Sequence, residues 1–455
     1  QQVQTFYVYD KKGLLRFVLP PLASAKQQAD PELIYEYNYD DRNRLIRKKL
    51  PGMEEMLMVY DKLDRLVLAQ DGNLRTDSLW NYFKYDKFGR QIESGMYKNP
   101  ATQHELQNIV NNQSSYFEKR SGSNYSSNAF PQDNCTPYSI SYYDNYSFIQ
   151  NEEFNYQEVD FILKIASYPQ IIEPTPAISN KGFMTGSKIY IPKEEKYLLS
   201  VSYYDKYGKV LQTISENYLG GYDRQSHIYD FRGKVVYSRL DHSPDGNHFT
   251  RIEKRFEYDH AERLRKVYYK VDEQPTIIVS ENIYNQLGQL IEKKLHAAEG
   301  TNNYLETINY TYNIRGWLTA INDVEDLGHH LFAMKLDYDQ SENGLEANPQ
   351  YNGNISSISW TSNDLVNKRG YGFQYDNLNR LVKANYGKNT GDWNNIDEDY
   401  SVRIIDYDLN GNIDTLVRSG QIDQEVFGII DNLNYHYEGN RLIALDDAGE
   451  TSYDE

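Results

Sequence analysis

The sequence predicts an all-β protein, a series of tandem hairpins forming a long coiled sheet, with one short helix. Three observations predict it. The first is a repeated string: Tyr, Asp or Asn, two variable residues, Gly or Asn, a polar or cationic residue, then an aliphatic one. It begins at Tyr9, Tyr39, Tyr60, Tyr85, Tyr204, Tyr229, Tyr258, Tyr284, Tyr312, Tyr375 and Tyr407, with a copy one residue shorter at Tyr437. Neighbouring regular copies lie roughly 21 to 32 residues apart, the spacing of a tandem-repeat architecture. The second is period-two alternation before each tyrosine. Leu33, Tyr35, Tyr37 and Tyr39 alternate with Ile34, Glu36 and Asn38, and Leu433, Tyr435 and Tyr437 with Asn434 and His436. That is the pattern of a half-buried strand. The third is composition: 43 tyrosines within a hydrophobic fraction of only 39%. Burial then relies on rings with polar tips, which suits sheets better than helix bundles.

The repeat itself predicts the turn. Asp40, Asp61, Asp86, Asp205, Asp230, Asp259, Asp376 and Asp408 occupy the first turn position. There a carboxylate accepts from backbone N–H groups further along. Gly89, Gly208, Gly233, Gly288, Gly316 and Gly411, with Asn43 and Asn379, stand where a positive φ closes a hairpin with a bulge. Asp64 and Glu262 depart from this rule. A cation commonly restarts the chain: Arg44, Arg65, Arg90, Lys209, Lys234, Arg263, Arg380. It is placed to pair with the turn carboxylate or to stack on a ring. The tyrosines are framework elements that pack each hairpin on its neighbour.

Four stretches make one continuous repeat shell. Residues 1–97 hold the first four copies, with a loop from Ala23 to Pro31. Residues 98–200 are a polar insertion with degenerate repeats. Within it Thr102 and Glu105 form a capping box, and Leu106, Ile109, Val110 and Phe117 predict an amphipathic helix over about 103–118 that covers one face or end of the sheet. Residues 136–200 read as irregular, with a degenerate copy at Tyr143-Asp144. Residues 201–340 are the most regular array, including a turn at Pro244-Asp245-Gly246. Residues 341–455 are loop-rich as far as 372, with a short degenerate copy at Tyr351, and then return to the repeat. About a dozen hairpins mean roughly 25 strands, and a flat sheet of that width would exceed about 100 Å. It must coil into a spiral wall.

The search for chemistry narrows the function. A net charge of -18 argues against a phosphate-tracking surface, so no nucleic acid is expected as partner. The single cysteine, Cys135, cannot make an internal disulfide, and no apolar run is long enough for a membrane span. No signal peptide is visible at Gln1, which leaves a cytoplasmic chain, one numbered after processing, or a piece of a longer protein. His242, Asp245 and His248 surround one turn as a candidate metal constellation lacking a fourth ligand. His329 and His330 adjoin and, in an extended segment, point to opposite faces. Gly182, Gly186 and Lys188 imitate a phosphate loop without its spacing and read as a strand-edge turn. No nucleophile elbow or other catalytic signature is present, so no catalytic, cofactor-binding or metal residues are assigned and no cofactor is expected. A paired acid–base site assembled across strands would leave no trace in the sequence.

The strings YDDRNRLIRKKLPG, YDKFGRQIESG, YDKYGKVLQTISEN, YDFRGKVVYSRLDH and YDNLNRLVKANYG resemble the YD repeat of RHS-repeat proteins, over nearly the whole chain. VYDKKGLLRFVLPP, SYYDNYSF and KGFMTGSKIY look like the form found in Bacteroidota. The resemblance implies a hollow, cocoon-like shell. In bacterial toxin relatives such a shell encloses a variable C-terminal toxin, and eukaryotic teneurins use a related one for cell-surface adhesion. It therefore implies a non-enzymatic scaffold, secreted or at the cell surface, enclosing a toxin or effector domain of the same longer chain. The alternative is an adhesion or carbohydrate-binding shell whose partners are surface glycans or other cell-surface proteins. The DPxG-containing core motif that closes many toxin shells is absent. No self-cleavage residues carry over, and the chain is expected to be an internal or truncated piece of shell with an open last edge.

Overall fold

The structure, a computed structural model, describes residues 3–25, 30–158, 171, 174–342, 344–395 and 398–449. Among them are 31 strands, of which 29 join in one sheet. Consecutive strands pair antiparallel, from Phe6–Tyr9 against Leu15–Leu19 through to Val426–Glu438 against Arg441–Asp447. The meander steps over a segment twice. Gln91–Lys98 pairs with Cys135–Asp144, and Leu381–Asn389 reaches Val402–Tyr407. Turns therefore alternate between the two long edges of a ribbon, and every repeat turn falls on the same edge.

The ribbon comes back to its own beginning. The Leu22 N–H donates to Asn410 Oδ1 at 2.8 Å. A Cβ added to Gly52 would lie 2.9 Å from Arg441 Cβ, and one on Gly439 would collide with the Glu32 carbonyl. Asn410, Gly439 and Arg441 belong to repeat turns. Leu22, Glu32 and Gly52 belong to the opposite edge. The last hairpins thus sit edge to edge on the first, as one turn of a spiral requires. The sheet stays open, because its terminal strands each pair on one side among the described residues.

The predicted helix is present as Gln103–Asn111, with its Thr102–Glu105 capping box. It is shorter than expected. Asn112 caps it, and Phe117 lies beyond it. Leu106 and Val110 are buried against Val59, Val67, Leu68, Trp80, Tyr82 and Tyr97, while Ile109 faces outward. The Gln103 and Gln107 side chains hydrogen-bond the sheet backbone at Ile46, Met58 and Tyr60. Two five-residue helical turns, Pro21–Ala25 and Gly72–Thr76, accompany it. The first occupies part of the expected Ala23–Pro31 loop, whose residues 26–29 lie outside the described residues.

The stretch read as irregular contains three long strands, Cys135–Asp144, Asn180–Ile191 and Lys196–Tyr204. The GFMTGSKIY string forms no phosphate loop: it lies in the second of these strands, where residues 186–189 are paired on both sides. The loop-rich stretch likewise holds strands Ser357–Ser362 and Arg369–Tyr375. Hydrogen-bonded ladders on both sides have overridden a Gly- and Ser-rich composition that lacks β propensity.

Candidate functional site: the column of hairpin turns

Each repeat forms the same turn. In the Tyr375 copy, Asp376 Oδ1 accepts from the Leu378 and Arg380 N–H groups at 2.8 and 2.9 Å, and Oδ2 accepts from Arg380 Nε at 2.7 Å. Asn379 closes it at φ 62°, and the ladder resumes with Tyr375 opposite Leu381. The same carboxylate pattern recurs at Asp40, Asp61, Asp86 and Asp259. Asp205, Asp230 and Asp408 keep the two backbone bonds. Gly89, Gly208, Gly233, Gly288, Gly316 and Gly411 all have positive φ. So do Asp64 and Glu262, both at 63°. These two turns, which lack the Gly or Asn, keep the same form: hydrogen bonding imposes the left-handed conformation on ordinary residues, at an energetic cost.

The tyrosine adds a bond between hairpins. Its hydroxyl donates to the carbonyl of the residue that restarts the preceding hairpin. Tyr60 reaches Leu45, Tyr85 reaches Leu66, Tyr229 reaches Val210, Tyr258 reaches Val235, Tyr284 reaches Leu264, and Tyr312 reaches Leu290, all at 2.7–2.8 Å. Tyr204, Tyr375, Tyr407 and Tyr437 continue the series, reaching Met184, Ile355, Leu381 and Ile413. These carbonyls lie beside the register shift that follows each turn, and the hydroxyl supplies each with a donor. Burial raises the pKa of Tyr375, and the phenol stays a donor at any ordinary pH.

Two ladder members have expanded turns. Tyr143, where the sequence shows a degenerate copy, donates to Gln91 and pairs with Met184, and Asp144 pairs with Asn180, so a long connection replaces the short tip. Tyr338 donates to Leu318, and Ile355 accepts from Tyr375. The hairpin therefore begins at Tyr338, not at Tyr351 as its short degenerate copy implied, and the described residues 339–342 and 344–354 lie in its turn. The signal for it was the dipeptide Tyr338-Asp339.

The restart cation does both things expected of it. Arg44, Arg65, Arg263 and Arg380 pair with their own turn carboxylates and lie over the next tyrosine ring, 4.5–5.1 Å from its centroid. Arg380 also donates to the Asp408 carbonyl in the next turn. For Asp376, burial raises the pKa, but bonds from the Arg380 backbone and guanidinium and the Leu378 N–H outweigh it and hold the carboxyl below the usual range. Arg90 grips the expanded turn with two bonds to Asp144, whose pKa it draws down to about 2. Two neighbouring hairpins are thus joined by hydroxyl, guanidinium and ladder at once.

Other clusters carry less chemistry. His242 pairs with Asp223 and His248 with Asp245, each at 2.6 Å, so the candidate metal constellation divides into two pairs. Among the described residues no three His, Cys, Asp or Glu side chains gather into a metal-binding group. His329 and His330 are not on opposite faces; a turn brings their rings to 4.5 Å. Buried Lys84 lies 3.6 Å from Glu93 and 3.8 Å from Glu118. Glu118 also accepts from Ser126 and from the Asn128 and Ala129 backbone, and Tyr82 donates to Glu93. An open trough of about 890 Å³ is walled by Trp360, Tyr371, Tyr386, Tyr400 and Phe427, with neighbouring rings 5.2–5.8 Å apart. Glu398 on its floor takes bonds from Arg369, Lys388 and Tyr386. No helix among the described residues is long and apolar enough to cross a membrane.

No family model matches this chain, and no curated protein does. Solved structures do. The crystal structure of TcdB2-TccC3 aligns with 100% of the chain at 11% identity, with a TM-score of 0.32. The crystal structure of TcdB2-TccC3-Cdc42 aligns with 98% at 14% identity and TM-score 0.29. A Photorhabdus luminescens Tc holotoxin pore carrying a TccC3 variant aligns with 96% at 12% identity and TM-score 0.31. The chain spans 25%, 22% and 22% of those solved chains, about a quarter of their length.

Proposed function

We propose that this chain is wall: a non-enzymatic scaffold of the RHS/YD-repeat kind, of the form found in Bacteroidota, whose coiled sheet encloses a toxin or effector domain of a longer, exported polypeptide. One observation carries the reading. The ribbon returns edge to edge onto its first hairpins, so its strands curve around a space. The sequence repeat supports it, and so does the engagement of the turn carboxylates and tyrosines in holding hairpins together.

Small-angle scattering tests the enclosure. A solid globule of this length has a radius of gyration of about 22 Å. A wall around a space gives a clearly larger value with a hollow-particle profile, whereas a value near 22 Å rules out a cavity. Limited proteolysis of the full gene product tests the cargo. A following domain that survives until the ribbon is cut supports enclosure, and one digested at once opposes it.

The aromatic trough favours a second reading, an adhesive surface that stacks sugar rings on Trp360 and Tyr400. Glycan-array binding lost in Tyr400→Ala, with strand content unchanged, would support it.

A further inference from the structure

The two long edges of the ribbon are not alike. On the repeat-turn edge, several tips join an apolar residue to a cation, although Asp41-Arg42, His260-Ala261, Gln286-Leu287 and Asn377-Leu378 do not. Leu63, Phe88, Tyr207, Phe231, Leu287 and Ile314 are each more than half exposed. Beside them stand exposed Lys62, Lys87, Lys206, Arg232 and Arg315. Lys87, Lys206 and Arg232 lie 4.8–5.7 Å from the neighbouring tip ring. Arg232 pairs with its turn carboxylate Asp230, and Arg315 donates to the Tyr351 carbonyl; the turn needs none of the other side chains, since its bonds use the aspartate and the backbone. A Leu or Phe held in water at successive tips contributes nothing to the hairpin beneath it.

The opposite edge is the complement. Its turns carry Glu54, Glu194, Glu195, Asp272, Glu273 and Asp326, with exposed Met53, Leu219, Leu305, Leu331 and Val366 between them. In a chain of net charge -18, the clustering of cations on one edge is a departure from the average. Where the two kinds of edge already meet, at the ends of the ribbon, the contact is close and polar: Asn410 on Leu22, Gly439 on Glu32, Arg441 on Gly52. There the tip position held elsewhere by Leu63, Phe88 and Tyr207 is Asn410, and it bonds the facing backbone.

We propose that the repeat-turn edge between Tyr60 and Asp376 is a docking edge for the acidic edge of a second copy of this chain, stacked as the last hairpins already stack on the first. The contact joins unlike edges, so it is heterologous and does not close. Each copy added leaves a fresh cationic, apolar edge exposed, and the product is a stack that grows with concentration. Opposite charges set the register and speed encounter, and the apolar tips supply the affinity.

Sedimentation velocity on the chain, over a range of concentrations at low and high salt, tests this. The expected result is concentration-dependent association that weakens with salt. Replacing the exposed tips together (Leu63→Ser, Phe88→Ser, Tyr207→Ser, Leu287→Ser) should raise the dissociation constant at least about tenfold. The circular dichroism should not change, since no tip side chain is buried. Lys87→Glu with Lys206→Glu should weaken self-association. Mixing that protein with one carrying Glu194→Lys and Glu273→Lys should restore it between the two. A monomer at every concentration overturns the proposal. So does association indifferent to the tip changes, which would assign it to the terminal strands. Tip-dependent binding to anionic vesicles without self-association overturns it in favour of a lipid surface. The proposal does not rest on enclosure: a hollow chain that never self-associates leaves the wall reading intact and removes this one.

Discussion

Between Met56 and Tyr222 the ribbon is covered, and between Thr250 and Ile321 it is bare. In the covered part, helix Gln103–Asn111 and the segment around Phe148 and Phe154 lie on the sheet. Trp80, Tyr82, Tyr142, Leu68 and Ile214 are fully buried there. In the bare part only Tyr268, Ile278 and Ala297 are buried hydrophobics. The hairpins are the same in both, with the same turn, bulge and tyrosine bond. A repeat unit of this kind is therefore complete without a core, because its stability comes from coupling to neighbours. A core is an addition where an insertion supplies the second layer. The two regions should differ in what damages them.

The largest effect is expected in the covered part. Trp80→Ala should cost about 3–5 kcal/mol, read by denaturant unfolding, through lost burial and the cavity left under the helix. Tyr269→Ala in the bare part should cost about 1 kcal/mol. Equal losses would mean that the bare ribbon also packs against something. Removing a turn carboxylate comes next. Asp61 is fully buried beneath Arg65, so Asp61→Ala leaves a guanidinium without its partner and should cost roughly 2–3 kcal/mol. Asp259→Ala, at a more open turn, should cost less, and hydrogen exchange should show the loss confined to adjacent hairpins.

Acid sharpens the contrast. The Asp259 pKa is lowered: burial raises it, and the Arg263 backbone and guanidinium bonds outweigh that. Glu281 is lowered too, because bonds from Tyr304 and Lys266 outweigh its burial. Their folded values lie below the unfolded ones of about 4, so their contribution is complete above about pH 4.5 and lost as pH falls through the folded values. Amide exchange should therefore rise between about pH 4 and 2 first in residues 250–321 and later in 56–222. Simultaneous exposure would show a single cooperative unit.

Two smaller changes separate bonds from burial. Tyr312→Phe should cost about 1 kcal/mol by removing the hydroxyl donor to the Leu290 carbonyl, and Tyr85→Phe about the same at Leu66. A loss that followed burial instead would make the hydroxyl incidental. Glu262→Gly should stabilise by about 0.5–1 kcal/mol, seen as a small shift in denaturation midpoint, because it relieves a positive φ.

Much of this was legible in the sequence because the information is local. Seven residues specify a turn, and alternation before Tyr39 or Tyr437 specifies a strand. Thr102 and Glu105 announced the helix for the same reason, although its end was set by the Asn112 cap rather than by the hydrophobic pattern that ran on to Phe117. Three kinds of feature were not legible. The hydroxyl target of each tyrosine lies one hairpin back and carries no side-chain signature, since any carbonyl serves. The strand at Asn180–Ile191 is glycine-rich and is held by its neighbours. The meeting of Arg441 with Gly52 depends on the curvature summed over all the hairpins between them.

The expanded turns at Tyr143 and Tyr338 have a practical meaning. In both, the tyrosine hydroxyl bond is kept while a long segment occupies the place of a short tip. The ribbon registers where a turn begins and ends and is indifferent to what is spliced between. Lineages can lengthen such a ribbon, or hang new domains from its rim, at any of these points without redesigning the strands. An engineer could use the same ports, beginning with the turn between Asp259 and Glu262, where the underlying sheet has no covering layer to disturb.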